Sequence, residues 1–134
     1  MRKSLVNFVN RYLGNFIGRH SFVVGNEEKG GMGEASLRLE NPEFWIEITR
    51  DRGGYEDMSI GSKIRSRPRA HLRWWPLGHL RGYLEGQKDQ YTFSGLEDQA
   101  RWLEENENRL LDSSFLNSRE LNTWAAKASR RQFD

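Results

Sequence analysis

The sequence predicts an α+β domain in which an antiparallel sheet packs on helices. Three observations predict it. The chain opens with an apolar stripe at helical spacing, continues through segments of strict period-two alternation, and closes with further helical stripes. Helix, then strands, then helices is the order of a two-layer domain rather than of repeated βαβ units. The 134 residues suit a single domain, residues 1–134, with a modest core.

Leu5, Phe8, Val9, Tyr12, Leu13, Phe16 and Ile17 lie three and four apart, the apolar face of an amphipathic helix. Ser4 reads as its N-cap and Gly18 as the glycine just past its end. Four strands in a meander are expected next. The first is Phe22-Val23-Val24, and the others are marked by the alternations Ala35/Leu37/Leu39, Phe44/Ile46/Ile48 and Met58/Ile60. One buried and one solvated face follow from that period. Gly30-Gly31-Met32-Gly33, Asn41-Pro42 and Arg52-Gly53-Gly54 supply the turns. Pro76 then opens a short helix through Leu77, Leu80 and Leu84 that ends at Gly86. Ser94 and Glu97 have the spacing of a capping box, ahead of a helix with Leu96, Ala100, Leu103 and Leu110 on one face. A last helix carries Leu121, Trp124, Ala125 and Ala128, with Glu120 near its start and Arg130-Arg131 at its end, both favourable for the helix dipole.

Charge is unevenly distributed. Residues 58–84 contain no Asp or Glu but hold Lys63, Arg65, Arg67, Arg69, Arg73 and Arg81. Removing those six from the 21 Lys and Arg leaves 15 cations against 19 acids elsewhere. A local field of this kind steers an acidic partner even though the whole chain is at +2. The cations at 63, 65, 67 and 69 alternate, so an extended backbone places them on one face about 7 Å apart. Guanidinium groups there bind carboxylates or phosphates in bidentate fashion. Pro68 keeps the run out of a central strand. Trp74-Trp75 offers a stacking surface, although successive side chains diverge and one of the two belongs in the core. The competing reading is a solvated loop paired internally with Glu97, Asp98, Glu104, Glu105 and Glu107.

No pattern of catalysis or metal binding emerges. His20, His71 and His79 stand alone in sequence and read as surface or cap histidines, and no zinc-ligand spacing is present. Ser36, Ser59 and Ser62 lack a nucleophile-elbow context. Glu56-Asp57 and Glu104-Glu105 are neighbours whose side chains diverge. The Gly30–Gly33 run is followed by Glu34 and a strand, unlike a phosphate-binding loop. Zero Cys excludes disulfides and thiolate sites and fits a reducing cytosol. Asn7, Asn10, Arg11 and Asn15 break up the N-terminal apolar run, so no signal peptide is expected. No cofactor and no membrane partner is expected.

The run from Phe44-Trp45-Ile46-Glu47-Ile48 through Asp51-Arg52-Gly53 to Ser59-Ile60-Gly61 resembles a pattern in small, largely uncharacterised bacterial proteins. There a strand turns at an Asp-Arg-Gly into a second strand. A Trp and a Leu-Gly helix follow, as in Trp74-Trp75-Pro76-Leu77-Gly78-His79-Leu80, and the domain closes with a helix like Leu96-Glu97-Asp98-Gln99-Ala100-Arg101-Trp102-Leu103. The likeness covers roughly residues 20–112. Some of those proteins resemble immunity proteins of bacterial toxin–immunity pairs, including contact-dependent inhibition systems. The resemblance implies a cytoplasmic, non-enzymatic protein that covers a toxin domain. The arginine-rich insertion departs from the pattern and implies a toxin with an acidic face. The expected function is therefore a non-catalytic protein-binding module. Lys63, Arg65, Arg67, Arg69, Arg73, Trp74 and Trp75 form its partner-binding residues. Nucleic-acid binding through the same residues is the alternative.

Overall fold

The computed structural model describes residues 4–64 and 74–133, with side chains described through residue 128. Among the described residues the chain forms an α+β two-layer domain with seven α-helices and one six-stranded antiparallel sheet.

The opening stripe forms α1 (Leu5–Tyr12) and α2 (Gly14–His20). The expected single helix is kinked at Leu13 (φ −123°, ψ 10°). Gly14, a weak helix former, sits at the break. The helical bonds Leu13 N–H to Val9 O and Ile17 N–H to Leu13 O nevertheless run across it. Leu5, Val9, Leu13 and Phe16 therefore stay on one buried face. Gly18 does not end the helix; Ser21, left-handed at φ 57°, does. Ser4 caps α1 as expected. A distant carboxylate helps, because Glu27 Oε1 accepts from Ser4 Oγ (2.9 Å) and from Val6 N–H (3.0 Å).

The sheet contains β1 (Val23–Val24), β2 (Glu28–Lys29), β3 (Ala35–Glu40), β4 (Phe44–Arg50), β5 (Glu56–Ser62) and β6 (Trp75–Pro76). Its order is β1-β3-β4-β5-β6, with β2 also paired to β3. The three long strands follow the predicted meander. The two extra strands, β2 and β6, have two residues each, too short to show a period. The Gly30–Gly33 run turns the chain from β2 into β3 through a 3₁₀ turn at Gly31–Gly33. Ala35, Leu37, Leu39, Phe44, Ile46, Ile48, Met58 and Ile60 all face one core, and the helices cover that face alone.

β6 leads into α3 (Leu77–Leu84). A Cβ on Gly82 would stand 2.4 Å from Asp89 O, and one on Gly78 would stand 2.5 Å from Tyr91 O. Glycine at both sites lets the chain after α3 fold back along it, with Tyr91 N–H donating to Gly78 O and Gln87 N–H to Gly82 O. The closing segment is α4 (Leu96–Glu105), α5 (Glu107–Leu110), α6 (Ser113–Leu116) and α7 (Arg119–Phe133). The expected capping box is replaced by another bond. Ser94 N and Oγ both lie 3.2 Å from Asp98, not Glu97. Leu110 falls on a separate helix because the Asn106 side chain bonds Trp102 O and interrupts the run.

Buried Gln99 of α4 extends the sheet. Its Oε1 accepts from Met58 N–H (2.8 Å) and its Nε2 donates to Glu56 O (3.1 Å). One amide side chain thus satisfies the edge of β5 where the short β6 does not reach.

Candidate functional site

The face of the sheet away from the helices is built from three cross-strand rows. The registers align Val23, Glu40, Trp45 and Gly61 in the first row, and Arg38, Glu47, Ser59 and Pro76 in the second. Glu28, Ser36, Thr49 and Asp57 form the third. Trp75 pairs with Ile60, so the preceding residue, Trp74, continues the first row opposite Gly61. The missing side chain at Gly61 leaves room for an indole. Trp74 stacks on Trp45 with ring centroids 4.7 Å apart and an angle of 23° between planes.

Arg38 completes this cluster. Its guanidinium carbon lies 5.0 Å from the Trp74 ring centroid and 5.5 Å from that of Trp45, and Nη2 donates to Glu47 Oε2 at 3.3 Å. Arg38 is half exposed and Glu47 one-third exposed. Charge on the three rows is mostly negative, with Glu28, Glu40, Glu47 and Asp57 set against Arg38 alone. Burial raises the Asp57 carboxyl above its ordinary value, opposed by a hydrogen bond from the Met58 N–H.

The two expected anchor tryptophans separate. Trp75 points inward, is 2% exposed, and donates its indole N–H to Leu116 O at 2.9 Å. It is a core residue, which corrects its assignment to the partner-binding set. Trp74 is the surface member of the pair. Lys63 is exposed at the end of β5, its N–H bound to Glu43 O. Beside it, Ile64 O accepts from Asn117 Nδ2 and from Ser62 Oγ, both at 2.8 Å. The chain therefore leaves β5 and enters β6 at anchored points at one end of the outer face. Arg65, Arg67, Arg69 and Arg73 lie outside the described residues.

Four of the five acids proposed as internal counterions, all but Glu105, have partners of their own among the described residues. Glu107 bonds Arg19 at 2.8 Å, which holds its carboxyl below the usual range, and lies 3.3 Å from His20 Nε2. Glu104 and Glu97 lie 3.8 Å from Arg19 and Arg101. Asp98 accepts from Ser94 just ahead of α4.

Of the histidines read as surface or cap residues, His20 agrees and His79 does not. His20 ends α2 beside Glu107, whereas His79 is half-buried against Trp124, and burial lowers its pKa; His71 lies outside the described residues. Glu56 and Asp57 diverge as expected: Glu56 Oε2 takes both Nε and Nη2 of Arg50 (3.0 and 2.8 Å), while Asp57 faces the opposite way. The Arg50–Glu56 pair lines a groove of about 650 Å³ with Phe8, Arg11, Tyr12 and Leu96, at the end of the strands away from Lys63. Among the described residues no group of three His, Asp or Glu is placed to hold a metal ion, and no helix is long and apolar enough to cross a membrane.

Sequence reasoning missed Arg38, Trp45 and Glu47. The signal was present, because Trp45 occupies the polar phase of the Phe44/Ile46/Ile48 alternation. A large aromatic on a solvated phase is ordinary alone and becomes informative only where it joins a patch. No family model matches the chain, and neither the curated proteins nor the solved structures compared with it give a match.

Proposed function

We propose that this protein is a non-catalytic, cytoplasmic protein-binding module, an immunity protein that blocks a cognate bacterial toxin domain by covering it. One observation carries the reading. The Trp45–Trp74–Arg38 cluster, with both indoles partly exposed, stands beside the anchored ends of the acid-free basic segment. Trp and Arg are the residue types that dominate binding energy at protein interfaces. Lys63, Arg65, Arg67, Arg69 and Arg73 orient an acidic patch of the toxin, and Trp74 is the anchor. The outer face favours this over nucleic acid, because a phosphate backbone running from the basic segment onto the sheet would meet Glu40 and Glu47.

The test is to produce the protein with the product of any toxin-like reading frame found beside its own and measure association by stopped flow. A 1:1 complex is expected. Replacing Arg65, Arg67 and Arg69 together by Ser should slow association about tenfold or more at low salt. Submicromolar affinity for single- or double-stranded oligonucleotides near physiological salt, falling steeply as salt rises, would overturn the reading in favour of nucleic-acid binding.

A further inference from the structure

The outer face of the sheet is left open by every described helix, and its chemistry is opposite to that of the basic segment beside it. Four carboxylates, Glu28, Glu40, Glu47 and Asp57, share it with one guanidinium, which is already bonded to Glu47. No described Lys or Arg pairs with Glu28, Glu40 or Asp57. Val23, 70% exposed, lies at one end of the first row, and the stacked Trp45 and Trp74 lie at the other. Beside Val23 is a depression of about 440 Å³ lined also by Glu28, Ser36, Arg38, Glu40 and Glu47.

From these contacts we infer that the open sheet face docks a basic, extended segment of a protein partner, its apolar side chains on Val23 and the Trp45–Trp74 stack and its Lys or Arg side chains on Glu40, Glu47 and Glu28. The inference deepens the protein-binding reading and rests on it. The partner then carries two patches, an acidic one for residues 63–73 and a basic one for the sheet. Charge decides among the occupants. A second copy docked face to face would set acids against acids, and a nucleic acid or an anionic bilayer would be repelled. A cationic strand is complementary, since side chains alternating along it present apolar and charged groups in turn to a surface organised in the same way.

The experiment is a ¹⁵N–¹H NMR titration of the full chain with a short alternating Lys–Val peptide and, separately, its Glu–Val counterpart. The Lys–Val peptide should shift the amides of Ser36, Arg38, Glu47 and Ser59 with a Kd near about 10⁻⁴ M. The double variant Glu40→Lys, Glu47→Lys should weaken it about tenfold or more, and Trp45→Ala should weaken it as well. If the double variant does not fold, Glu40→Gln reads the same loss. The Glu–Val peptide should leave this face unshifted. The inference is overturned if the Lys–Val peptide leaves these amides unmoved, binds the double variant equally well, or is matched here by the Glu–Val peptide. Dimerisation through this face, abolished by Trp45→Ala, would also overturn it. The readout is confined to the sheet and does not involve the toxin, so failure of this inference is distinguishable from failure of the toxin reading.

Discussion

Leu39, Ile46, Ile60 and Trp75 make one cross-strand row of the sheet, and Glu40, Trp45, Gly61 and Trp74 make the next. The rows are one residue apart on the same strands, yet they face opposite ways. In the inner row Leu39, Ile46 and Ile60 are fully buried, and the indole N–H of Trp75 is bonded to a backbone carbonyl. Volume and complete hydrogen bonding decide which residues fit there. In the outer row a partly exposed indole pair is stacked beside an arginine, and Glu40 pairs with no described Lys or Arg. Burial alone accounts for the inner row but not for the outer one. Stability therefore resides chiefly on one face, and recognition has the other available to it.

The strongest way to break this comparison is to exchange the rules at neighbouring positions. Ile46→Asp places a carboxylate in the core and is expected to cost about 4–5 kcal/mol or more, which approaches the whole stability of a small domain. Glu47→Lys, one residue on, removes only the exposed pair with Arg38 and should cost about 1 kcal/mol or less. Urea denaturation followed by circular dichroism checks both. Comparable losses at the two positions would mean that the faces are not divided as described.

The tryptophans sharpen the same contrast with a smaller effect. Trp75→Ala should cost about 3–5 kcal/mol through the cavity it leaves, and Leu116 O loses its donor as well. Trp74→Ala gives up the stack on Trp45 and the contact with Arg38, about 1–2 kcal/mol in all. Urea midpoints of the two variants supply the test, and a Trp74 variant as unstable as the Trp75 variant would place both residues in the core.

What the sequence made legible follows the same division. The inner face was readable residue by residue, because burial imposes a period, and Ala35 through Ile60 obey it over three strands. β2 and β6 were not readable, since two residues have no period and pair only where the tertiary structure brings them. The bond from Gln99 to β5 was hidden for a related reason: an isolated Gln on a helix gives no sign that a strand edge 41 residues earlier needs its amide. Periodicity also could not tell Trp74 from Trp75, because the strand they enter is too short to fix a phase. On the outer face the basic window was conspicuous through its composition. Arg38, Trp45 and Glu47 drew no notice, since each is ordinary alone and the cluster exists only once three strands are in register.

The smallest expected effect tests whether the outer face keeps charge at a cost. Asp57 is partly buried in the third outer row, and desolvation raises its pKa above the ordinary 3.8. The folded state therefore holds the proton more tightly than the unfolded chain does. The neutral form's contribution to stability is fully present below pH 3.8 and is lost as pH rises through the folded pKa. Asp57→Asn keeps the shape without the charge, so it should match the wild type at low pH and become the more stable protein above that window. Solvent screening reduces the effect at a partly exposed site, so the gain at neutral pH is expected to be small. Urea midpoints of the two proteins across the acidic range provide the measurement. A gap that opens as pH rises would show a carboxylate retained against stability, as expected on a face that meets a cationic partner. If the two curves stay parallel, the desolvation of Asp57 has no energetic consequence and its charge gives the docking surface no support.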